Sequence, residues 1–185
     1  MPGEVMSVNT TIHPVTERAA AAGSGVGLQI LAFVEVLLLG VWLGAMGFFS
    51  FAVPQSGFAV LPSRELVGLL VTSTITKVEL LGMVIGGLLI ILQLASWRSR
   101  SGAKSARLIL IGIMVAAAAL SHFWITPEMV TLRNAMGPAL ETVPPTDPLR
   151  MQFNHLHGYS VGSLMVAMLG GLACLFLTVR SWLKQ

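Results

Sequence analysis

The sequence predicts an all-α fold: an integral membrane four-helix bundle with both termini in the cytoplasm. Apolar residues make up 55% of the 185 residues and charged residues only 10%, and the mean hydropathy is +0.82. An ordinary soluble domain has about 25% charged residues, which disfavours a soluble enzyme. The chain contains four apolar runs, and a spanning helix needs about 20 such residues. The expected partner is therefore the lipid bilayer.

The positive charge of the chain is interpreted as a membrane-orientation signal. The formal net charge is +3, and the 11 Lys and Arg are spread over loops between the apolar runs. Aromatic residues do not interleave with them as a base-stacking surface, so nucleic acid is not an expected partner. Cys174, the only cysteine, lies in an apolar run. A lone cysteine excludes an intrachain disulfide, and we interpret it as a small core residue.

A polar N-terminal tail is predicted for residues 1–27, and the first span for about 28–53. A cleaved signal peptide has a short basic start and an apolar stretch of roughly 7–15 residues. Here the start is long and hardly basic, and the apolar run is longer, so the sequence predicts a retained spanning helix. Pro54 is expected to end this helix, because proline lacks the N–H group that a helix interior needs.

The four-helix domain, predicted for residues 28–185, contains three further spans. As a helix, the run from Glu65 to Trp97 is about 50 Å long, whereas the hydrocarbon layer is about 30 Å thick. Only about 77–96 is therefore expected to span, preceded by an interfacial or overhanging stretch. The basic segment WRSRSGAKSAR is predicted to be a loop, and the third span covers about 108–125.

Two proline-containing segments predict helix starts after the third span. The segment TPE at Pro127 supplies a hydroxyl cap, a first-turn proline and an acid near the positive end of the helix dipole. The short helix that begins there is expected to stop near Gly137, within an outer loop covering 126–154. Asp147 precedes a proline in the same way, and from it a helix is expected to run into the fourth span, about 157–180.

The distribution of cations predicts the orientation of the spans. Short loops rich in Lys and Arg remain in the cytoplasm, which places the loop containing Arg98 and Arg100 inside. Arg180 and Lys184 follow the fourth span and agree with this assignment. Both termini are then cytoplasmic, and the segments after the first and third spans lie outside.

Small residues in every span predict close helix packing, because helix association in lipid relies on close approach. Gly40 and Gly44 form a GxxxG pair in the first span, and Gly82 and Gly86 form one in the second. The simpler interpretation is that glycine is common in membrane helices.

Two acidic residues lie inside the predicted membrane domain, where an ionisable group costs several kcal/mol unless it is paired or hydrated. At about 100° per residue, Glu79 shares a helical stripe with Gly82 and Gly86, so it is expected to face the bundle interior near the outer end. Glu35 lies in the cytoplasmic half of the first span. A hydrogen-bonded structural acid and a proton carrier are the two interpretations.

Histidines lie near the outer ends of the third and fourth spans. His122 is close to the end of the third, and His155 and His157 are close to the start of the fourth. Residues two apart on a helix lie on nearly opposite faces, so at most one of this pair can join His122 and Glu79. Two imidazoles and a carboxylate suit a transition metal, and two imidazoles suit a haem. The alternative is that these histidines are hydrogen-bonded groups at helix ends.

Three segments of the chain carry a family resemblance. They are GFFSFAVPQSGFAVLP, with Pro54 and Phe58, then ITPEMVTLR around Pro127, and FNHLHGYS at the start of the fourth helix. The matching residues of the last segment are Phe153, Leu156, His157, Gly158 and Ser160. With these motifs, the chain resembles the transmembrane protein 205-like family, small four-helix membrane proteins whose domain was long of unknown function. The asparagine often found further along the family's last helix is absent here, where SLMVAML stands.

The resemblance implies a bacterial inner-membrane protein, or an organellar or plasma-membrane relative, without an established reaction. It also favours His157 over His155 as the inward-facing residue of the fourth helix. His122 and His157 are thus the candidate ligands for a metal or a haem.

The leading hypothesis is a non-enzymatic, multi-pass protein of the cell membrane. One alternative is a metal- or haem-binding membrane protein with ligands at the outer end of the bundle. Others are a small proton-coupled transporter that uses Glu35 and Glu79, and an accessory subunit that associates with other membrane subunits or with a second copy. An enzyme is disfavoured because the sequence contains no recognisable nucleophile–base arrangement, phosphate loop or acidic pair.

Overall fold

The computed structural model describes residues 13–95, 102–137 and 142–182. Every regular element in these ranges is helical, which confirms the all-α prediction. The α-helices are α1 (His13–Phe51), α2 (Val53–Val60), α3 (Arg64–Ala95), α4 (Gly102–Leu120), α5 (Thr126–Met136) and α6 (Pro148–Trp182). A π-helical turn, Ser121–Ile125, joins α4 to α5.

The chain divides into two compact units, residues 1–34 and residues 35–185. The described part of the first unit is the N-terminal stretch of α1, where Ile30 and Phe33 are exposed. Residues 1–12 of the predicted polar tail lie outside the described ranges, and α1 begins at His13, inside that tail. The second unit contains the rest of α1 and all the other helices.

The described residues contain four helical stretches that are long and apolar enough to cross a membrane. They are Gln29–Val60, Arg64–Ala95, Lys104–Met136 and Pro148–Ser181. Large apolar side chains such as Phe48, Ile91 and Phe176 are exposed along them. A surface of this kind requires a lipid environment, and the chain is accordingly a multi-pass membrane protein.

The helix interruption at Pro54 is shorter than the sequence predicts. Only Ala52 separates α1 from α2, and the proline lies in the first turn of α2. The N–H groups of Ala52 and Ser56 donate to the carbonyls of Phe48 and Ala52, both at 2.9 Å. A first-turn proline leaves no hydrogen bond unmade, because the N–H groups there have no helical acceptor. The helical path therefore continues to Val60.

The basic segment between the second and third spans is partly helical, which corrects the loop prediction. Arg98 and Arg100 lie outside the described residues, but α4 begins at Gly102 and includes Lys104 and Arg107. Arg107 is buried, with 7% of its surface exposed.

The third span also continues beyond its predicted end. A helix begins at Thr126, as predicted, but it follows the third span without a break, because the chain passes through the π-helical turn, in which the Thr126 N–H donates to the Ser121 carbonyl. The predicted hydroxyl cap is not formed, since the start of α5 has no side-chain cap hydrogen bond. The cause of the π-helical turn is Pro127, which lacks an N–H group and whose ring would clash with the Phe123 carbonyl in a regular helix. The predicted stop is confirmed, since α5 ends before Gly137, whose φ of 75° suits glycine.

The start of α6 follows the sequence prediction. The helix begins at Pro148, and the Leu149 N–H donates to Asp147 Oδ1 at 2.8 Å. Asp147 thus caps a helix end whose first N–H groups have no backbone acceptor. From this start, α6 runs without interruption through the predicted fourth span.

The glycines of α3 allow the helices of the second unit to pack closely. A Cβ atom on Gly82 would lie 2.5 Å from Trp42 Nε1, and one on Gly86 would lie 2.2 Å from Val115 Cγ2. By contrast, Gly40 and Gly44 are exposed, and a Cβ atom on either would have nothing within 4 Å. The GxxxG pair of α3 therefore provides the contact predicted for small residues, whereas the pair of α1 does not within this chain.

Candidate functional site

A carboxylate and an imidazole meet near the junction of α4 and α5. The Glu79 side chain, on α3, is buried, and its Oε2 atom lies 3.4 Å from His122 Nδ1. The Thr126 hydroxyl donates to Glu79 Oε1 at 3.5 Å. Glu79 Oε2 and His122 Nδ1 are both buried, and neither has a hydrogen-bond partner among the described residues. We call this arrangement the Glu79–His122 pair.

The π-helical turn positions the α4–α5 side of this pair. Its wider turn places Ser121, His122 and Thr126 around one carboxylate on the neighbouring helix. Turns of this type occur mostly as single insertions within α-helices and frequently at functional sites. Pro127, which causes the turn, is thus part of the architecture of the site.

A small cavity of about 20 Å³ lies beside the Glu79 carboxylate. Its polar lining comes from Glu79, Ser121, Ser160 and Ser163, and Trp42 contributes to the apolar wall. A cavity of about this size can hold one water molecule if polar partners are available. The serines and the carboxylate supply such partners.

A larger cavity of about 510 Å³ lies at the end of the bundle where α2, α5 and the beginnings of α3 and α6 meet. We call it the α5-end cavity. Five of the eight residues named for the three sequence motifs line it, namely Pro54, Phe58, Phe153, His157 and Ser160. The remaining motif residues are Pro127, which follows the π-helical turn, Leu156, which is buried, and Gly158, which is exposed. The motif segments, which are distant in sequence, therefore converge on one cavity.

The predicted approach of His157 to the Glu79–His122 pair differs from the structure. Both His155 and His157 are exposed, and Leu156 occupies the buried position between them. His157 instead lines the α5-end cavity. Within the described ranges, three His, Cys, Asp or Glu side chains do not come together as a metal-ligating group. The two candidate ligands therefore lie in different places: His122 is beside the Glu79 carboxylate, whereas His157 lines the α5-end cavity.

A second buried polar cluster surrounds Glu35. The Gln93 amide donates to Glu35 Oε1 at 2.6 Å, and the Thr178 hydroxyl donates to the same oxygen at 2.9 Å. Arg107 Nη1 lies 3.3 Å from Glu35 Oε2. Each of the four long helices α1, α3, α4 and α6 contributes one residue. We call this group the Arg107 cluster.

Glu35 could be identified from the sequence as a buried acid, whereas its partners Arg107 and Thr178 were not. Arg107 was assigned to the basic loop because it follows other cations, although it shares a helical stripe with the buried Ile111 and Met114. Thr178 similarly follows the buried Cys174 by one helical turn. The signal that could have found both residues is a polar side chain at a position that continues a buried apolar stripe.

Comparisons with known proteins give a family for this chain. No curated protein and no solved structure matches it. Residues 37–138, which are more than half of the 185 residues, match a family described as a domain of unknown function (DUF4149). The matched range contains Glu79, His122 and Arg107, whereas Glu35 and α6 lie outside it. The chain therefore belongs to the DUF4149 family.

Proposed function

We propose that this chain is a non-enzymatic, proton-coupled protein of the bacterial inner membrane, of the transmembrane protein 205-like type, with both termini in the cytoplasm. The Glu79–His122 pair takes up and releases one proton from the outer side. The lipid bilayer is its partner. The three motif segments and the cation distribution support the family type and the orientation, and the geometry of the pair supports the proton-coupled role.

The observation that carries the proposal is the contact between Glu79 Oε2 and His122 Nδ1. These atoms face each other at 3.4 Å and have no hydrogen-bond partner among the described residues. A carboxylate oxygen only accepts hydrogen bonds, and an imidazole nitrogen also accepts unless it carries a hydrogen. One proton on either atom turns a contact between two acceptors into a hydrogen bond. Its loss removes the hydrogen bond between these two buried atoms, which is costly.

The proton reaches this pair from the α5 end of the bundle. The small cavity beside Glu79 and the α5-end cavity share Ile75, Ser160 and Leu164 as lining residues. In the other direction along α3, Glu79 and Gln93 are separated by about 21 Å of helix. Apolar side chains of the core, including Leu39 and Ile85, pack in that interval. Exchange is therefore one-sided in this conformation.

The dimensions of the pair favour proton exchange over chemistry on an organic substrate. The cavity in contact with Glu79 has about 20 Å³, enough for one water molecule. His122 and Thr126 already occupy the positions around the two carboxylate oxygens. A larger reactant cannot approach the carboxylate without displacing them, which is why we propose a non-enzymatic role.

Infrared difference spectroscopy between acidic and alkaline buffer tests the proposal on the protein in lipid bilayers. We expect a carboxylic-acid band that disappears in Glu79→Gln, because the buried Glu79 carboxyl gains and loses the proton. Glu35→Gln is the matched control: Glu35 is also buried, but Arg107 and two further donors hold it. The control is expected to keep the band. A difference spectrum that Glu79→Gln leaves unchanged would exclude Glu79 as the proton carrier.

A further inference from the structure

We propose that the α5-end cavity binds a single-chain carboxylate amphiphile, with the carboxylate on Arg133 and the hydrocarbon chain along the apolar wall. This binding site goes beyond the proton-coupled role. The two proposals share the α5-end cavity, but ligand binding is measured without reference to proton exchange. The size of the cavity, the distribution of charge around it and its apolar lining all suit such an amphiphile.

The size and lining of the cavity suit a small amphiphilic molecule. Its volume of about 510 Å³ lies within the range of about 300–1,000 Å³ that is typical of small-molecule sites. The wall is mainly apolar and includes Phe49, Phe58, Val71, Met129 and Val161. Such a wall accepts a hydrocarbon chain, and the polar side chains of the lining leave room for one polar headgroup.

The charged groups of the cavity are cationic. Arg64 and Arg133 both line it, and none of its described lining residues is acidic. Both arginines also line an adjoining cavity of about 260 Å³, which we call the vestibule, together with Glu65. Among its described lining residues, the α5-end cavity thus offers an anionic headgroup cationic side chains and no acidic one.

Arg133 is held at the boundary by contacts that leave it able to bind an anion. Its Nη1 atom donates to the Thr72 hydroxyl at 3.0 Å, and its guanidinium carbon lies 5.7 Å from the centre of the Phe153 ring. A guanidinium has five N–H groups in a planar fork that matches a carboxylate. Gly68 provides the space for this fork, because a Cβ atom there would lie 3.2 Å from Arg133 Cζ.

The cavity continues onto the lipid-facing surface, which gives a chain its route of entry. Phe58 and Val161 both line it and are 62% and 46% exposed. A phospholipid has two hydrocarbon chains, whereas this site consists of one apolar cavity with a cationic boundary. A single-chain carboxylate is the occupant that places one headgroup at Arg133 and one chain within the cavity.

The test is photo-crosslinking of a diazirine-bearing palmitate to the protein in vesicles of neutral phospholipid. We expect saturable labelling that unlabelled palmitate displaces and hexadecanol displaces poorly. Arg133→Gln is expected to weaken labelling by about tenfold, the loss typical of one charge-assisted contact. Arg180→Gln is the control: it removes the same charge from an exposed site in the last turn of α6, and its labelling is expected to equal that of the wild type.

A second variant tests the contribution of the cavity to labelling separately from that of the Arg133 charge. Val161→Trp fills the cavity and keeps Arg133, so labelling is expected to fall, whereas Val166→Trp is expected to have no effect. Val166 lies on the same helix with 48% exposure and does not line the cavity. Equal labelling of the two tryptophan variants, or equal displacement by hexadecanol and palmitate, would overturn the proposal. Stronger displacement by a lysophospholipid than by palmitate would overturn the carboxylate assignment.

Discussion

Replacing Arg107 with glutamine is expected to destabilise the folded protein by about 3–5 kcal/mol, the typical cost of removing one partner of a buried ion pair. The side chains of Arg107 and Glu35 are each 9% exposed, so neither charge is compensated by solvent. Glu35 would retain only the neutral donors of Gln93 and Thr178. The measurement is the free energy of unfolding in mixed micelles with increasing denaturing detergent.

Two further variants distinguish loss of the ion pair from loss of a cation. Arg180→Gln removes a positive charge from an exposed position and is expected to leave the free energy of unfolding unchanged within about 0.5 kcal/mol. The double variant Glu35→Gln with Arg107→Gln is expected to recover part of the loss, because it leaves no unpaired buried charge. If Arg107→Gln alone unfolds like the wild type, the Arg107 cluster does not stabilise the bundle.

Replacing Gly82 with alanine is expected to destabilise the protein by about 1–3 kcal/mol, the usual cost of overpacking a core. The added Cβ atom would lie 2.5 Å from Trp42 Nε1 and close to two other ring atoms. Trp42 is 1% exposed and has little room to move, so α1 and α3 must separate. The same detergent titration measures the change.

Gly87→Ala is the matched control for this substitution. Gly87 lies on the same helix, and a Cβ atom there would have nothing within 4 Å. Alanine also has a higher helix propensity than glycine, so the control is expected to be neutral or slightly stabilising. Equal losses at Gly82 and Gly87 would indicate that α3 tolerates no side chain anywhere, rather than a specific contact with Trp42.

The parts of the fold that the sequence predicted are those governed by local chemistry. Apolar runs predict helices that cross a membrane, Asp147 predicts the cap of α6, and Gly137 predicts the end of α5. The sequence predicts that Pro54 ends a helix and that Pro127 lies in the first turn of a new one, so both mark expected breaks in the helical path. In the structure, Pro54 lies in the first turn of α2, and Pro127 follows the π-helical turn. Those solutions depend on the packing of neighbouring helices, which a local pattern does not contain.

In the candidate site, too, local chemistry predicted some features, whereas the packing of neighbouring helices decided the others. The stripe of Glu79 and the glycines of α3 placed one acid in the bundle interior, where the structure has it buried. His122 was identified, but its position 3.4 Å from Glu79 depends on the π-helical turn. Arg107 was missed because its sequence neighbours suggested a loop. The resemblance favoured His157 over His155, and His157 does line the α5-end cavity, but it does not join Glu79 and His122. Which face of a helix meets a neighbour is a property of the assembled bundle.

The most direct test of the Glu79–His122 pair is nitrogen NMR of histidine-labelled protein in lipid nanodiscs across a pH series. The chain has four histidines, so single substitutions assign their signals. We predict that Glu79→Gln shifts the Nδ1 resonance of His122, because it removes the carboxylate oxygen 3.4 Å away, and leaves the resonances of the exposed His155 and His157 unchanged. Glu35→Gln is predicted to leave all of them as in the wild type. A His122 resonance identical in the wild type and in Glu79→Gln throughout the series would contradict a shared proton and, with it, the proposed function.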